Sequence, residues 1–173
     1  MTEEKASKIK LVLLDVDGVM TDGRITMDAH GNEIKSFCVK DGLGLRMLMS
    51  GGVDVVLVTG RSSRVVDHRA RDLGIREVHQ GVTDKKLLCR QIIKDRGFTK
   101  QEICCIGDDL ADLPMFSEAG LCIAVADAVR EIREAADYIT RSKGGFGAVR
   151  EACEWLLKCQ GKWQSALASF AGE

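Results

Sequence analysis

The 173 residues of the chain are enough to bury one substantial core, so we expect a single domain. Lys and Arg number 25 and Asp and Glu number 26, and this balance excludes the strongly basic surface of a nucleic-acid-binding protein. Apolar runs all fall well short of the roughly 20 residues that cross a bilayer, so we also expect no membrane partner.

Short apolar strands alternate with helical segments along the chain. This alternation predicts an α/β fold, a Rossmann-like parallel sheet flanked by helices on both faces. The strands are predicted near residues 9–15, 54–58, 76–79, 103–106, 121–124 and 137–139. The helices are predicted near residues 42–50, 62–73, 84–96, 111–118, 128–135 and 147–159. Residues 161–173 are small and polar, so we expect a loosely ordered tail after a domain that spans residues 1–160.

One segment after the first strand breaks this alternation. Residues 24–37 hold two short apolar stretches around a glycine-containing loop, which predicts a β-hairpin insertion. Its apolar side chains are Ile25, Met27, Ile34 and Phe37. Because an isolated hairpin is marginally stable in water, it needs a surface to pack on. Either a closed assembly of several subunits or the hairpin's own sheet could supply that surface.

The cysteines and the amino-terminal segment favour a cytoplasmic location. Residues 1–10 are rich in charged and polar side chains, and the apolar run at 9–14 is too short for the core of a signal peptide. Four of the seven cysteines lie in apolar periodic segments, which predicts buried thiols in a reducing compartment rather than disulfides. These four are Cys89, Cys104, Cys105 and Cys122.

Two carboxylates follow the first predicted strand. Asp15 and Asp17 are two residues apart, which places both side chains on one face of an extended chain. Two negative charges held so close need a cation or a shared proton, and an oxygen-rich acidic pocket suits Mg²⁺. Taken alone, the pair could equally mark an acidic surface turn.

Polar residues also follow two later strands, at what is predicted to be the same edge of the sheet. Thr59 and Gly60 follow one strand, Asp108 follows another, and Lys85 opens a helix between them. Ligands of open α/β sheets bind outside the carboxyl ends of the strands. A carboxylate pair, a hydroxyl, a glycine amide, a lysine and further acids are what phosphoryl transfer to a carboxylate requires. Each residue also has a simpler reading as a helix cap or a solvated charge.

These segments, in this order, resemble the four motifs of the haloacid dehalogenase-like phosphatases. The motifs are Asp15-x-Asp17, Thr59, Lys85 and Gly107-Asp108-Asp109-x-x-Asp112. Residues 15–23, 37–44, 107–114 and 144–151 further resemble the small capless branch that hydrolyses 3-deoxy-D-manno-octulosonate 8-phosphate. The resemblance extends over about residues 8–160 and implies a homotetramer whose hairpins join in a central barrel.

The resemblance implies a catalytic role for four residues. Asp15 is the nucleophile that forms an aspartyl-phosphate, and Asp17 is the general acid and base. Thr59 holds phosphate oxygens, and Lys85 neutralises their charge and orients Asp15.

The resemblance also implies Mg²⁺ as the cofactor. Its ligands would be the Asp15 carboxylate, the Asp17 backbone carbonyl and Asp108. Asp109 and Asp112 would support the site from outside the ligand shell or cap the following helix.

A sugar acid phosphate is the implied substrate, and arginine can grip its carboxylate with two hydrogen bonds. The implied substrate contacts are Asp17, Cys38, Val39, Lys40, Asp41, Gly42, Arg46, Thr59, Gly60, Arg61, Arg69 and Lys85. We interpret Arg64, His68 and Arg71 as one solvated helix face. Arg61 favours the octulosonate ester, because the related sialic-acid-type phosphatases tend to carry an acidic residue there. Phe146 departs from the arginine that the octulosonate enzymes often carry, which puts the specificity in question.

Three alternatives to this function remain open from the sequence. The chain could hydrolyse another sugar acid phosphate, of the sialic-acid type. It could be a non-catalytic regulatory module of a sugar-activating enzyme, although it retains every catalytic residue type. A response-regulator receiver also combines paired acids, Thr and Lys, but its phosphorylated aspartate ends a later strand, and none lies between Val55 and Thr59.

Overall fold

A computed structural model of the chain describes residues 2–171, which form an α/β fold. The strands are β1 Leu11–Leu14, β2 Thr26–Met27, β3 Glu33–Ile34, β4 Asp54–Val58, β5 Glu77–His79, β6 Ile103–Gly107, β7 Leu121–Ala124 and β8 Tyr138–Ile139. The helices are α1 Thr2–Ser7, α2 Val39–Ser50, α3 Arg64–Leu73, α4 Lys85–Asp95, α5 Leu113–Phe116, α6 Arg130–Ala135, α7 Ala148–Cys159 and α8 Trp163–Ala171. Two 3₁₀ turns span Lys100–Glu102 and Leu110–Asp112.

Within residues 2–171, six strands form one parallel sheet in the order β5-β4-β1-β6-β7-β8. The central strand β1 pairs with β4 on one side and β6 on the other, so that Leu14 is in register with Leu57 and Ile106. The residues that follow these three strands are therefore neighbours at one edge of the sheet. The predicted strands and the predicted fold class are confirmed.

The sheet is buried on both faces. Every residue of β1, β6 and β7 is buried, as expected of parallel strands covered by helices on both sides. The thiols predicted to be buried lie in this core, and all seven cysteines are free. Among the described residues, no helix has both the length and the apolar character needed to cross a membrane.

The hairpin predicted after the first strand is present as a small sheet of its own. Strands β2 and β3 pair antiparallel, with Thr26 opposite Ile34. The Asp28 carboxylate closes the loop by accepting hydrogen bonds from the backbone N–H of His30 at 2.8 Å and of Asn32 at 2.9 Å. The hairpin leaves three large apolar side chains more than half exposed: Ile25, Met27 and Ile34.

The carboxy-terminal tail differs from its prediction. The prediction of a loosely ordered tail from residue 161 is wrong for Trp163–Ala171, because these residues form α8. A helix this short is marginal by itself, so contacts with the rest of the protein hold it. Trp163 and Ala166 pack against the core, and the cationic groups of Arg150 and Lys158 lie 5.8 and 5.1 Å from the centre of the Trp163 ring. The last residues of the predicted tail, 172–173, lie outside the described residues.

Candidate active site

The carboxyl ends of β1, β4 and β6 bring three predicted site residues to one edge. Asp15 follows β1, Thr59 follows β4 and Asp108 follows β6. The Asp15 N–H continues the ladder by donating to the Ile106 carbonyl at 3.1 Å, and the Thr59 N–H donates to the His79 carbonyl at 2.9 Å. Asp15 and Thr59 are buried, so their polar side chains form an enclosed site rather than an acidic surface turn.

The lysine at the start of α4 reaches this edge. Asp84 caps the helix by accepting the Leu87 N–H at 2.9 Å. The Lys85 ammonium then lies 2.6 Å from one oxygen of Asp15 and 2.6 Å from one oxygen of Asp112. Its side chain is 6% exposed, whereas that of Lys86 is 43% exposed. Burial opposes the charge of Lys85, but the two carboxylates outweigh burial and raise its pKa above the usual value.

Three carboxylates converge beside this lysine. One oxygen each from Asp15, Asp108 and Asp112 lies within 4.8 Å of the others. Burial, reinforced by the Asp112 charge, raises the pKa of Asp15 to about 7. Burial and the Asp15 charge raise the pKa of Asp108 to about 8. The cluster therefore carries repulsion that a divalent cation would relieve, and its oxygen donors suit Mg²⁺.

The hydrogen bonds of Asp112 separate it from the two candidate ligands. One of its oxygens accepts from Lys85, and the other accepts from the backbone N–H of Asp108 at 2.9 Å and of Asp109 at 3.4 Å. Asp112 therefore supports the lysine and the loop. A Cβ added to Gly18 would lie 2.0 Å from an Asp108 oxygen, so only glycine lets that carboxylate approach the loop after β1.

The Asp17 side chain contacts a residue that the sequence did not single out. Lys35, which follows β3 in the hairpin, donates a hydrogen bond to Oδ1 of Asp17, and Oγ1 of Thr59 lies 3.5 Å from Oδ2 of Asp17. The Lys35 ammonium also lies 3.2 Å from Glu33, which accepts a hydrogen bond from Arg61 at 3.0 Å. Nothing in the local pattern around Lys35 signals this contact, because it depends on how the hairpin folds back.

The segment predicted to contact substrate, residues 38–42, forms the start of α2. Its Asp41 side chain is buried and accepts the backbone N–H of Arg150 at 2.8 Å, which fixes the start of α7. Burial raises the pKa of Asp41. Val39 and Lys40 are exposed.

The three predicted substrate arginines have different surroundings, and one of them, Arg69, lies against these residues. The Arg69 guanidinium lies 3.5 Å from the Cys38 carbonyl, and a Cβ added to Gly42 would be 2.4 Å from it. Arg61 is tied to the hairpin through Glu33. Arg46 instead bonds to the Asp72 carbonyl and lines a groove that includes Asp54, at the opposite end of β4.

The glycine-rich segment 144–147 packs on the loop after β1. The Gly145 N–H donates to the Val19 carbonyl at 3.0 Å, and a Cβ added to Gly144 would lie 1.7 Å from the Gly18 carbonyl oxygen. Between these glycines and α7, the Phe146 side chain is 68% exposed. The backbone of this segment therefore supports the loop after β1, while Phe146 is exposed to solvent.

Known proteins are similar to this chain in both sequence and fold. A model of the haloacid dehalogenase-like hydrolases matches residues 74–152. The chain is 42% identical to the 3-deoxy-D-manno-octulosonate 8-phosphate phosphatase KdsC of Yersinia pestis, over 94% of this chain and 87% of the relative. It is also 42% identical to KdsC of Haemophilus influenzae, over 92% of this chain and 89% of the relative.

Solved structures agree with these relatives. The phosphatase of the same name from Moraxella catarrhalis, in complex with magnesium, phosphate and a KDO molecule, superposes with a TM-score of 0.95. It is 43% identical, over 98% of this chain and 97% of that one. The cobalt-bound enzyme of H. influenzae gives a TM-score of 0.90 at 40% identity, over 95% and 99% of the two chains. The chain therefore belongs to the 3-deoxy-D-manno-octulosonate 8-phosphate phosphatase family of the haloacid dehalogenase-like hydrolases.

Proposed function

We propose that the chain is a Mg²⁺-dependent phosphatase that hydrolyses 3-deoxy-D-manno-octulosonate 8-phosphate to the free sugar acid and phosphate, in the synthesis of lipopolysaccharide precursors. The observation that carries this proposal is the buried Lys85–Asp15 pair beside Asp108, at the edge where Asp17 and Thr59 also lie. Identities of 42% and 43% to phosphatases of this specificity, over nearly the whole chain, support the same substrate.

Asp15 is the proposed nucleophile. One of its carboxylate oxygens is held by Lys85, which leaves the other to attack phosphorus. A bond then forms between this oxygen and phosphorus while the bond from phosphorus to the sugar oxygen breaks. The product of this half-reaction is an aspartyl-phosphate on Asp15 and the free sugar acid.

Asp17 is the proposed general acid and base. It gives a proton to the sugar oxygen as that oxygen leaves, and it then takes a proton from the water that attacks the aspartyl-phosphate. The second half-reaction releases phosphate and returns Asp15 to its carboxylate form. Oδ2 of Asp17 lies 3.5 Å from the Thr59 hydroxyl. This distance supports the acid and base role of Asp17, since Thr59 is proposed to hold the phosphate that reacts.

Asp15, the Asp17 backbone carbonyl and Asp108 are the proposed ligands of Mg²⁺. The convergence of Asp15 and Asp108 and the raised pKa of both support this assignment. When bound, the cation supplies the positive charge that lets a carboxylate approach a phosphate dianion. The Thr59 hydroxyl, the Gly60 amide and the Lys85 ammonium are proposed to bind the phosphate oxygens.

The sugar acid is proposed to lie over the start of α2, against residues 38–42 and the guanidinium groups of Arg61 and Arg69. Two arginines beside a phosphate site suit a substrate that carries a second anionic group. A role for Arg46 stays a prediction of the resemblance, because its contacts in this subunit lie at the other end of β4.

We also propose that the enzyme is a homotetramer and works in the cytoplasm. Exposed apolar side chains on the hairpin support the assembly, because contact with other hairpins would bury them. Free thiols support a reducing compartment. Each subunit is proposed to be one phosphatase domain that spans residues 1–160. Helix α8 follows this domain in the chain.

A phosphate-release assay tests the proposal. The purified chain would be assayed with Mg²⁺ and with EDTA against octulosonate 8-phosphate, a sialic acid 9-phosphate, hexose phosphates and nucleotides. We expect Mg²⁺-dependent release with the highest kcat/KM for the octulosonate ester. A higher kcat/KM for the sialic acid ester would move the specificity to the related branch, and no release from any ester would refute the enzymatic function.

A further inference from the structure

Lys35 is an enclosed cation on an otherwise exposed hairpin. Its side chain is only 1% exposed, although neighbouring Ile34 and Ser36 are exposed. It ion-pairs with Asp17 on one side and with Glu33, at 3.2 Å, on the other. An ammonium group in so enclosed a position is held by its charged partners, so the hairpin places it there through specific contacts.

The contact with Lys35 makes the two oxygens of Asp17 inequivalent. Oδ1 accepts the hydrogen bond from Lys35, while Oδ2 lies 3.5 Å from the Thr59 hydroxyl at the proposed phosphate site. A carboxylate anchored through one oxygen cannot turn freely about its last bond. The anchored group therefore keeps its Oδ2 oxygen directed toward the Thr59 hydroxyl.

Glu33 fixes the lysine in turn. Its carboxylate lies between Lys35 and Arg61, at 3.2 and 3.0 Å. The four side chains form a continuous line of alternating charge, Arg61–Glu33–Lys35–Asp17. This line joins a proposed substrate arginine to the proposed acid and base, and it passes through the hairpin.

We propose that Lys35 is a positioning residue for catalysis: it holds the Asp17 carboxylate so that Oδ2 faces the reacting phosphoryl group. The inference rests on the function proposed above, in which Asp17 transfers the protons. It makes the hairpin part of the catalytic machinery of its own subunit, in addition to any role in assembly. A displacement of about 1 Å in a reacting group can cost on the order of 10²-fold in rate.

The test compares Lys35→Met with Lys35→Arg on two esters. The octulosonate ester has a poor leaving group that needs a proton, whereas p-nitrophenolate leaves without one. With the octulosonate ester, we expect Lys35→Met to lower kcat by about 10²-fold and to change KM little. Lys35→Arg keeps a cation beside Asp17, and we expect it to recover about a tenth of the wild-type kcat or more.

With p-nitrophenyl phosphate, Asp17 is needed only when water attacks the aspartyl-phosphate. We therefore expect Lys35→Met to release a rapid burst of p-nitrophenolate, larger than that of the wild type, followed by slow turnover. If Lys35 only stabilises the fold of the hairpin, Lys35→Met would slow the burst and the steady-state turnover equally. This outcome would overturn the proposal. A raised KM with normal kcat would also overturn it, by placing Lys35 on the substrate phosphate.

Lys10→Met is the matched control. Lys10 precedes β1 at the opposite end of the strand and lies 2.6 Å from Glu102, so the change removes an ion pair away from the site. We expect normal kinetics from this variant, and circular dichroism checks that each variant is folded. If Lys35→Met does not fold, Lys35→Gln carries the same comparison. Wild-type inactivity on both esters would refute the proposed function, whereas an active wild type with an unaffected Lys35→Met would refute this inference alone.

Discussion

The Lys85 ammonium lies 2.6 Å from a carboxylate oxygen of Asp112. The other oxygen of Asp112 accepts the backbone N–H of Asp108 at 2.9 Å, so one buried carboxylate fixes both α4 and the loop after β6. Because Lys85 also contacts Asp15, the hydrogen bonds of Asp112 connect the predicted nucleophile to a candidate metal ligand. This arrangement explains how motifs far apart in sequence hold one geometry.

Asp112→Asn should therefore weaken catalysis through its neighbours. An amide keeps one acceptor but loses the charge that holds Lys85, so we expect kcat to fall by about 10- to 10²-fold and the Mg²⁺ concentration for half-maximal activity to rise. Steady-state assays over a Mg²⁺ series measure both. Asp109→Asn is the comparison, because the exposed Asp109 carboxylate accepts backbone N–H groups of the 3₁₀ turn that it caps, among them that of Leu110 at 2.7 Å. An effect of Asp109→Asn as large as that of Asp112→Asn would contradict this explanation.

Asp15→Asn should abolish turnover in a folded protein. The change removes both the nucleophile and a metal ligand, which should cost more than ~10³-fold in kcat. The assay is phosphate release at saturating substrate, with circular dichroism as the check of folding. Near-normal turnover by the folded variant would refute the covalent mechanism.

The stability of the metal-free protein should fall as pH rises. Asp108 has a folded pKa of about 8 and Asp15 one of about 7, both above the usual value of 3.8. Between about pH 4 and pH 8 the unfolded chain therefore binds fewer protons at these groups than the folded chain, and the free energy of unfolding falls with pH. The stabilising contribution is fully present below the unfolded pKa and is lost as pH rises through the folded values.

Thermal unfolding in EDTA from pH 5 to pH 8 measures this trend. Mg²⁺ binds the ionised carboxylates of the folded chain. We therefore expect added Mg²⁺ to reduce the loss of stability, and to do so most strongly near pH 8. Asp108→Asn removes one titrating group and should flatten the profile in EDTA. A profile that Asp108→Asn leaves unchanged would show that other groups control the stability.

Asp15, Thr59 and Asp108 could be predicted from the sequence because each directly follows a buried apolar strand. Strand ends are local features, and the order of a parallel sheet brings them together. Contacts that depend on the tertiary fold could not be predicted in this way. Lys35 reaches Asp17 only because the hairpin folds back, and α8 forms because Trp163 finds the core, so neither is encoded in a local pattern. Sequence reasoning therefore placed Asp15, Thr59 and Asp108 at one edge of the sheet but missed the charged side chain that contacts Asp17.

The two arginines proposed to bind substrate should act on the sugar acid rather than on the phosphate. We expect Arg61→Ala and Arg69→Ala to raise KM for octulosonate 8-phosphate far more than KM for p-nitrophenyl phosphate. Losing one charge-assisted contact costs about 1.5–3 kcal/mol. Arg71→Ala is the matched control on the same helix as Arg69, because within residues 2–171 the Arg71 guanidinium bonds only to its own helix, at the Asp67 carbonyl and His68. Equal losses on both esters would assign these arginines to phosphate binding or to folding.

The hairpin should hold the enzyme together as a tetramer. Ile25, Met27 and Ile34 are each more than half exposed in the single subunit, and a two-stranded sheet this small gains stability by burying them against other copies. Sedimentation at micromolar concentration should give one species of four chains, each of 18.9 kDa. Ile34→Glu places a charge in the shared surface and should shift the protein to smaller species with reduced activity. Leu87→Glu, at an exposed leucine on α4, is the control and should leave the assembly intact. A fully active wild-type species with the mass of one chain would refute the tetramer.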